Sequence, residues 1–246
     1  MRSLTGKKYW LVGASEGLGR ALAFAMSKSG TELVLSARNE ERLRALADEL
    51  PGKATIAPCD VSSRESMEAA AKMAGDVDGM VFLAGLYWPM KATEWDAEKA
   101  EVMADINFTG AFRSVGAVLP GMLERGAGHI VITGSLSGFR GLPGAIGYGA
   151  SKAGVMYLAE SMHADLRGTG VDVQLINPGF IKTRLTDKND FTMPFIMEPE
   201  AAADEMLMHM RTEGFKKSFP FAFGLMFRFS QFLPDWAYYR LFSRVG

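Results

Sequence analysis

Short apolar runs alternate with longer amphipathic stretches along most of the 246-residue chain. Six of these runs predict buried strands, because each is too short for a helix and is bounded by glycine, proline or charged residues. The strands are expected at residues 9–12, 32–35, 54–57, 79–83, 129–133 and 171–176. Helical patterns lie between them, at residues 19–29, 40–50, 63–74, 97–124 and 151–167. Repeated strand–helix–strand units specify a parallel sheet with helices on both faces, so the sequence predicts a doubly wound α/β fold.

A seventh strand is expected near the C-terminus, over residues 217–223, where Phe219, Phe221 and Phe223 alternate with other residues. With 48% hydrophobic residues, the chain can bury one substantial core. No low-complexity linker or repeat of fixed period divides it. We therefore expect a single domain over residues 1–246.

Charge and cysteine content narrow the function classes. The 27 basic and 28 acidic residues give a net charge of −1, which offers no electrostatic reason to bind nucleic acid. One cysteine, Cys59, excludes an internal disulfide, and the three scattered histidines have no metal-ligand spacing. The N-terminus lacks the pattern of a signal peptide, and no run approaches the roughly 20 apolar residues of a membrane span. These features favour a cytoplasmic protein without a metal.

Three glycines, Gly13, Gly17 and Gly19, stand between the first predicted strand and the first predicted helix. The turn also holds Ser15 and Leu18. Glycines here let the backbone approach a diphosphate, whose charge the free N–H groups and the dipole of the helix start attract. An ordinary tight turn is the alternative, but the position between strand and helix favours a dinucleotide site.

Arg38 follows the second predicted strand, where an NAD site would place an acidic residue. A guanidinium there would bind the 2′-phosphate of NADP. The alternative is a surface arginine at the start of the next helix.

Tyr148 and Lys152 lie four residues apart, so on a helix their side chains share one face. Taken alone, the pair also fits an exposed surface helix. However, Ser135 stands 13 residues before Tyr148, and Asn107 lies upstream. With these residues the chain resembles the short-chain dehydrogenase/reductase family over roughly residues 7–184. The resemblance also includes Gly13, Gly17, Gly19, Asp60, Val61, Ala84, Gly85, Asn177, Pro178, Gly179, Ile181 and Thr183.

The resemblance implies a Rossmann-type fold and an NAD(P)-dependent oxidoreductase that interconverts a carbonyl and a secondary alcohol. Tyr148 would be the general acid/base, and Ser135 would donate a hydrogen bond to the substrate oxygen. Lys152 would hold the nicotinamide ribose and, with the charge of the nicotinamide, lower the phenol pKa by about 3 from its usual value near 10. Asn107 would anchor a water that relays protons.

The same resemblance implies further cofactor contacts. Asp60 and Val61 would flank the adenine, Pro178 and Gly179 would line the nicotinamide, and Thr183 would bind its carboxamide. Ala84, Gly85 and Ile181 would complete the cofactor site. From the residues alone, Asp60 could instead cap a helix, and Pro178 with Gly179 could form a simple turn.

The chain departs from the family pattern at two positions. Val12 and Leu83 stand where the family usually has threonine and asparagine. Because those family residues brace the backbone by hydrogen bonds, the departures concern local bracing and not the reaction. Glu16 lies inside the glycine turn, where some NADP-binding members of the family carry a basic residue, and it therefore weighs against NADP.

Residues from about 184 onwards are expected to form the substrate loop and a hydrophobic C-terminal segment. An apolar substrate wall is predicted from Phe191, Met193, Phe195, Ile196 and Met197. In the segment, one helical face would hold Leu225, Phe229 and Phe232, and a second short helix would hold Trp236, Tyr239 and Leu241. The segment could be a lid over the pocket or a subunit contact within a homodimer or homotetramer. A peripheral membrane contact is the third interpretation, because basic residues accompany the aromatic ones.

The leading hypothesis is thus an NADP(H)-dependent oxidoreductase acting on a small-molecule substrate, a bulky hydrophobic carbonyl or alcohol and not a sugar. A catalytically silent nucleotide-binding regulator or scaffold is one alternative. A membrane-associated lipid carbonyl reductase is another. The complete set of Asn107, Ser135, Tyr148 and Lys152 favours turnover, because a binding module needs no proton donor.

Overall fold

The computed structural model describes residues 1–189 and 192–242. Seven parallel strands form one sheet in the order β3-β2-β1-β4-β5-β6-β7. The strands are β1 Lys8–Val12, β2 Glu32–Ser36, β3 Ala54–Ile56, β4 Gly79–Phe82, β5 Gly128–Thr133, β6 Val171–Pro178 and β7 Lys216–Phe219. The order reverses between β1 and β4, the place where doubly wound sheets bind ligands at the carboxyl ends of their strands. The predicted α/β class and the first six predicted strands are confirmed.

Helices cover both faces of the sheet. They are α1 Gly17–Lys28, α2 Glu40–Glu49, α3 Arg64–Ala74, α4 Ala97–Ala104, α5 Gly110–Arg125, α6 Ile146–Asp165, α7 Pro199–Met210, α8 Phe221–Ser230 and α9 Asp235–Phe242. A π-helical turn, Asp105–Thr109, joins α4 to α5 within one continuous helical stretch.

Strand β1 shows how the sheet separates two cores. Trp10 packs with residues of α3, α5 and α6, whereas Leu11 packs with residues of α1, α2 and α7 on the opposite face. Both side chains are fully buried, because successive residues of a strand point to opposite faces and helices cover each one.

The predicted seventh strand is wrong at its C-terminal end. Strand β7 stops at Phe219, and α8 begins at Phe221, so Phe221 and Phe223 are helical. Pro220 has no N–H to continue a strand ladder, and its carbonyl accepts the helical hydrogen bond from Gly224 N at 2.9 Å. Phenylalanines at alternate positions also fit a helix here, because Phe223 meets Phe227 one turn later, with ring centroids 5.1 Å apart.

Candidate active site

Four loops meet beyond the carboxyl ends of the central strands. They follow β1, β4, β5 and β6, and they carry Gly13, Ala84, Ser135 and Gly179 respectively. The sheet therefore brings together the glycine turn and the residues of the predicted reaction centre, which lie far apart in the sequence.

The glycine turn has no room for side chains. Gly13 has φ +100°, and a Cβ atom on it would lie 2.5 Å from Ala84 N. A Cβ atom on Gly19 would lie 2.0 Å from the carbonyl oxygen of Gly13. Helix α1 starts directly after Glu16, which provides no side-chain cap, so the first N–H groups of the helix stay available. This backbone cradle fits the diphosphate of a dinucleotide.

The adenosine end of this cradle is rich in charge. Arg38 is exposed just after β2, so its guanidinium is accessible to the 2′-phosphate of a bound NADP. Glu16 accepts hydrogen bonds from Arg42 at 2.8 Å and from Arg184 at 2.9 Å. Glu16 therefore neutralises part of the local positive charge, and it links the glycine turn to the loop after β6.

Asp60 follows β3 and does not cap a helix, because Ser63 caps α3. Its carboxylate accepts hydrogen bonds from the backbone and hydroxyl of Ser62. Burial opposes its ionisation, but these hydrogen bonds and the charges of Arg38 and Arg113 keep the pKa of Asp60 below its usual value. Val61 next to it is buried against Gly110. An ionised Asp60 at this position suits a hydrogen-bond acceptor for an adenine amino group.

Tyr148 and Lys152 lie on one face of α6, as the spacing predicts, and Lys152 Nζ is 5.7 Å from the centroid of the Tyr148 ring. Ser135 lies beside the Tyr148 phenol and acts to lower its pKa, although burial outweighs this effect. The N–H and hydroxyl of Ser137 donate to Ser135 Oγ at 3.2 and 2.9 Å. Because the Ser135 oxygen accepts these bonds, its own proton is available for a substrate oxygen.

Burial favours the uncharged forms of both groups. It raises the pKa of the Tyr148 phenol to about 12 and lowers the pKa of the Lys152 ammonium to about 8. Lys152 Nζ donates to the carbonyl of Thr133 at 3.0 Å. The role of Lys152 in lowering the phenol pKa remains a prediction, because an ammonium with a pKa of about 8 still carries its charge at pH 7. A positive charge brought by a bound cofactor would act in the required direction.

Asn107 sits in the π-helical turn and is fully buried. Its carboxamide accepts from Leu86 N at 2.6 Å and donates to Leu86 O at 2.8 Å and to Ser151 Oγ at 2.9 Å. The side chain thus braces the loop after β4 against α6. Gly85, in the same loop, faces both Asn107 and Lys152. The water relay assigned to Asn107 remains a prediction.

The loop after β6 reaches back to the glycine turn. Pro178 ends β6, and Gly179 N donates to the carbonyl of Phe219 at 2.8 Å. Ile181 is buried and forms a bridge with Met197. The methyl group of Thr183 would be 2.8 Å from a Cβ atom on Gly17. Thr183 therefore stands beside the cradle, where a cofactor contact is geometrically feasible.

Sequence reasoning missed Tyr87, which forms one wall of the site. Its ring packs edge-on against Tyr148 with centroids 5.1 Å apart, and its hydroxyl donates to Asn189 Oδ1 at 3.0 Å. Lys188 donates to the Tyr87 carbonyl at 2.7 Å and lies over the ring of Trp88. These contacts close the substrate loop onto the loop after β4. The only sequence signal was a pair of aromatic residues, Tyr87 and Trp88, one residue after Gly85.

The predicted apolar wall is only partly present. Phe195 is exposed, and its ring lies 5.5 Å from that of Phe223, whereas Met197 packs into the core beside α1. Ile196 is exposed, and Met193 accepts a hydrogen bond from Asn189. Phe191 lies outside the described residues.

Helices α8 and α9 cover the loop after Ser135. Their inner faces contribute Phe223, Phe227, Tyr238 and Phe242, which pack with Leu136. Arg140 holds the helices in place, donating to the carbonyls of Ser230 and Leu233 and stacking on Tyr238. The residues predicted to share one helical face, Leu225, Phe229 and Phe232, lie outside this cluster and are exposed, and Phe232 follows the end of α8. We call α8 and α9 the C-terminal lid.

Within residues 1–189 and 192–242, no group of three or more His, Cys, Asp or Glu side chains is placed to hold a metal ion. In the same part of the chain, no helix combines the length and the apolar character needed to cross a membrane.

Comparisons with known proteins agree with this geometry. A model of the short chain dehydrogenase family matches residues 7–193. An uncharacterized oxidoreductase of Myxococcus xanthus is 37% identical over 242 residues, which cover 96% of each chain. An uncharacterized oxidoreductase of Staphylococcus epidermidis is 33% identical, covering 80% of this chain and 87% of the relative.

Solved structures extend the similarity. A 3-oxoacyl-[acyl-carrier protein] reductase of Brucella melitensis with bound NAD is 26% identical, has a TM-score of 0.80, and aligns over 88% of this chain and 90% of its own. A variant of actinorhodin polyketide ketoreductase with NADPH is 28% identical, has a TM-score of 0.80, and aligns over 89% and 97%. With the glycine cradle and the grouped Ser135, Tyr148 and Lys152, these matches show that the chain belongs to the short-chain dehydrogenase family of NAD(P)-dependent oxidoreductases.

Proposed function

We propose that this protein uses NADP(H) to interconvert a hydrophobic ketone and its secondary alcohol, with Tyr148 as the general acid/base. The observation that carries the proposal is the meeting of Tyr148, Ser135 and Lys152 beside the glycine cradle. When bound, the nicotinamide cofactor would supply or accept the hydride. The residues of the chain would hold the substrate oxygen and move its proton.

During reduction, negative charge develops on the substrate oxygen. Ser135 would donate its free proton as a hydrogen bond, and the Tyr148 phenol would transfer its proton to the same oxygen. A tyrosine phenol is already neutral near pH 7, and burial raises the pKa of Tyr148 further. It is therefore in the form needed for a proton donor.

NADP is favoured over NAD because Arg38 is exposed at the end of β2 and the loop contains no acidic residue at position 37 or 38. The two structural neighbours do not decide the question, since one was solved with NAD and the other with NADPH. Glu16 opposes the preference by pairing with Arg42. We therefore expect a moderate preference for NADP and not an absolute one.

A hydrophobic substrate is supported by the aromatic surroundings of Tyr148. Tyr87 borders the phenol, and the C-terminal lid places Phe223 over Gly179. The neighbouring structures are named as reductases of a 3-oxoacyl group and of a polyketide ketone. Substrate trials should thus begin with 3-oxoacyl thioesters and aromatic or aliphatic ketones.

The test is a screen of these carbonyls with NADPH, and of the matching alcohols with NADP⁺, following the absorbance of the reduced nicotinamide. Tyr148→Phe should lower turnover by about a hundredfold or more while the Kd for NADPH changes little. Tyr157→Phe is the matched control, because Tyr157 lies on the same helix and is 73% exposed. A Tyr148→Phe protein that keeps more than about a tenth of the turnover contradicts the acid/base role. Binding of NADPH without turnover of any carbonyl would instead favour the silent nucleotide-binding regulator.

Assembly and location are further proposals. A homodimer or homotetramer is expected, and exposed Phe112 and Tyr157 offer apolar surface for subunit contacts. Light scattering of the purified protein tests this assembly. The buried, unpaired Cys59 is compatible with the cytoplasm, where thiols remain reduced.

A further inference from the structure

The outer face of the C-terminal lid exposes an unusual amount of apolar surface. Phe221, Phe229, Phe232 and Trp236 are 77%, 61%, 81% and 74% exposed. Tyr239 and Leu241 on α9 are also more than half exposed. Single exposed hydrophobic residues are ordinary, but a contiguous stretch with this many marks a contact surface.

The charges of this segment indicate which surface it contacts. Arg228 and Arg240 are exposed, and neither forms an ion pair with any of the described residues. Asp235 is the only acidic residue between positions 221 and 242, and Arg140 pairs with it at 2.5 Å. The lid therefore presents cations and aromatic rings without an unpaired carboxylate.

A second copy of the chain does not fit this charge pattern well. A two-fold contact would place the same patch on both sides, so the arginines of each lid would face a surface without acidic partners. Anionic lipid headgroups would neutralise Arg228 and Arg240, while the exposed aromatic side chains enter the boundary with the acyl chains. Helices α8 and α9 have 10 and 8 residues, which are too few to span a bilayer but sufficient to lie along its surface.

We propose that the outer face of the C-terminal lid binds the surface of a membrane that contains anionic lipid. The inner face of the same lid packs over the loop of Ser135 through Leu136, and Phe223 touches exposed Phe195 of the substrate loop. Membrane binding would thus place the mouth of the substrate site at the lipid boundary. A lipophilic carbonyl compound or alcohol dissolved in the bilayer could enter from there, a consequence that rests on the function proposed above.

Vesicle flotation of the full-length protein tests the surface without using the reaction. The protein should float with vesicles of phosphatidylcholine and phosphatidylglycerol, and added salt should weaken this binding. Phe232→Ser combined with Trp236→Ser should lower the bound fraction strongly. Trp95→Ser combined with Met73→Ser is the control, because it removes large apolar residues that are 59% and 55% exposed elsewhere. Retained NADPH binding shows that each variant is folded.

The cationic part is tested by Arg228→Gln combined with Arg240→Gln. This variant should bind the anionic vesicles roughly tenfold or more weakly, and vesicles of phosphatidylcholine alone should show a much smaller change. Wild-type protein that fails to float with anionic vesicles overturns the proposal. Equal losses of binding in the lid variant and the control variant also overturn it, as does a lid variant that dissociates a dimer without changing flotation. Carbonyl turnover is measured separately, so either proposal can fail alone.

Discussion

Replacing Lys152 by methionine is expected to stabilise the free protein while removing its activity. The Lys152 side chain is 3% exposed. Among the described residues its ammonium group donates a hydrogen bond to Thr133 O and forms no ion pair. Burial lowers the pKa of Lys152 from 10.5 to about 8. This difference corresponds to about 3 kcal/mol of unfavourable free energy for the charged form at pH 7. Losing the hydrogen bond costs about 1 kcal/mol, so Lys152→Met should gain roughly 2 kcal/mol in the free energy of unfolding.

The stability advantage of Lys152→Met over the wild type depends on pH. Below pH 8 the ammonium is charged in both states, so the folded state carries the whole cost. Between pH 8 and 10.5 the unfolded chain binds more protons than the folded one, so the wild type gains stability as the pH rises. The advantage of Lys152→Met should therefore shrink across this range and vanish near its upper end.

Urea unfolding without cofactor, at pH 7 and again near pH 10, measures both quantities. Lys72→Met is the control, because Lys72 is exposed on α3 and its replacement should change the free energy of unfolding little at either pH. If Lys152→Met is less stable than the wild type at pH 7, burial of the ammonium is not costly and the reasoning is refuted. An advantage of equal size at both pH values would refute it as well, because the gain would then not come from the charge.

Three further changes test other parts of the site. Arg38→Asp should reverse the preference for NADPH over NADH, measured as the ratio of the two Kd values. Equal binding of both cofactors by the wild type would show that Arg38 does not bind the 2′-phosphate. Gly19→Ala should weaken NADPH binding by more than about tenfold in a fluorescence titration, because the new methyl group would lie 2.0 Å from the Gly13 carbonyl oxygen. Unchanged binding would contradict the assignment of the glycine turn as the diphosphate site. Arg140→Ala should raise KM for hydrophobic ketones and leave the Kd for NADPH unchanged, because Arg140 anchors Tyr238 and the lid but lies outside the cradle. An unchanged KM would mean that the lid does not shape the substrate site.

The sequence was most informative where a periodic pattern and burial coincide. Strands such as β1 and β4 follow directly from apolar runs, because a parallel sheet covered on both faces buries nearly all of their residues. Tyr148 and Lys152 share a face of α6 because helical spacing requires it. The end of β7 could not be predicted in this way, since phenylalanines at positions 219, 221 and 223 satisfy a strand period and also begin a helical face.

The parts of the site that sequence could not predict depend on contacts between distant loops. Tyr87 borders Tyr148 only because the loops after β4 and β6 close on each other. Ser137 orients Ser135 through hydrogen bonds that no spacing rule describes. The lowered pKa of Lys152 also could not be predicted from the sequence, because the burial of this side chain depends on the packing of α6 against the sheet.

The π-helical turn at Asp105–Thr109 makes the length of the helical stretch as important as its composition. Before the turn, α4 packs against α6, and after it α5 packs against α3 and β5. One additional residue in the turn shifts the phase between these two contact faces by about 100°. Deleting any single residue of the turn would restore an ordinary helix and rotate the α4 face away from α6, even if Asn107 itself were kept. Over this stretch a one-residue change in length should therefore be more harmful than a conservative substitution at an exposed position.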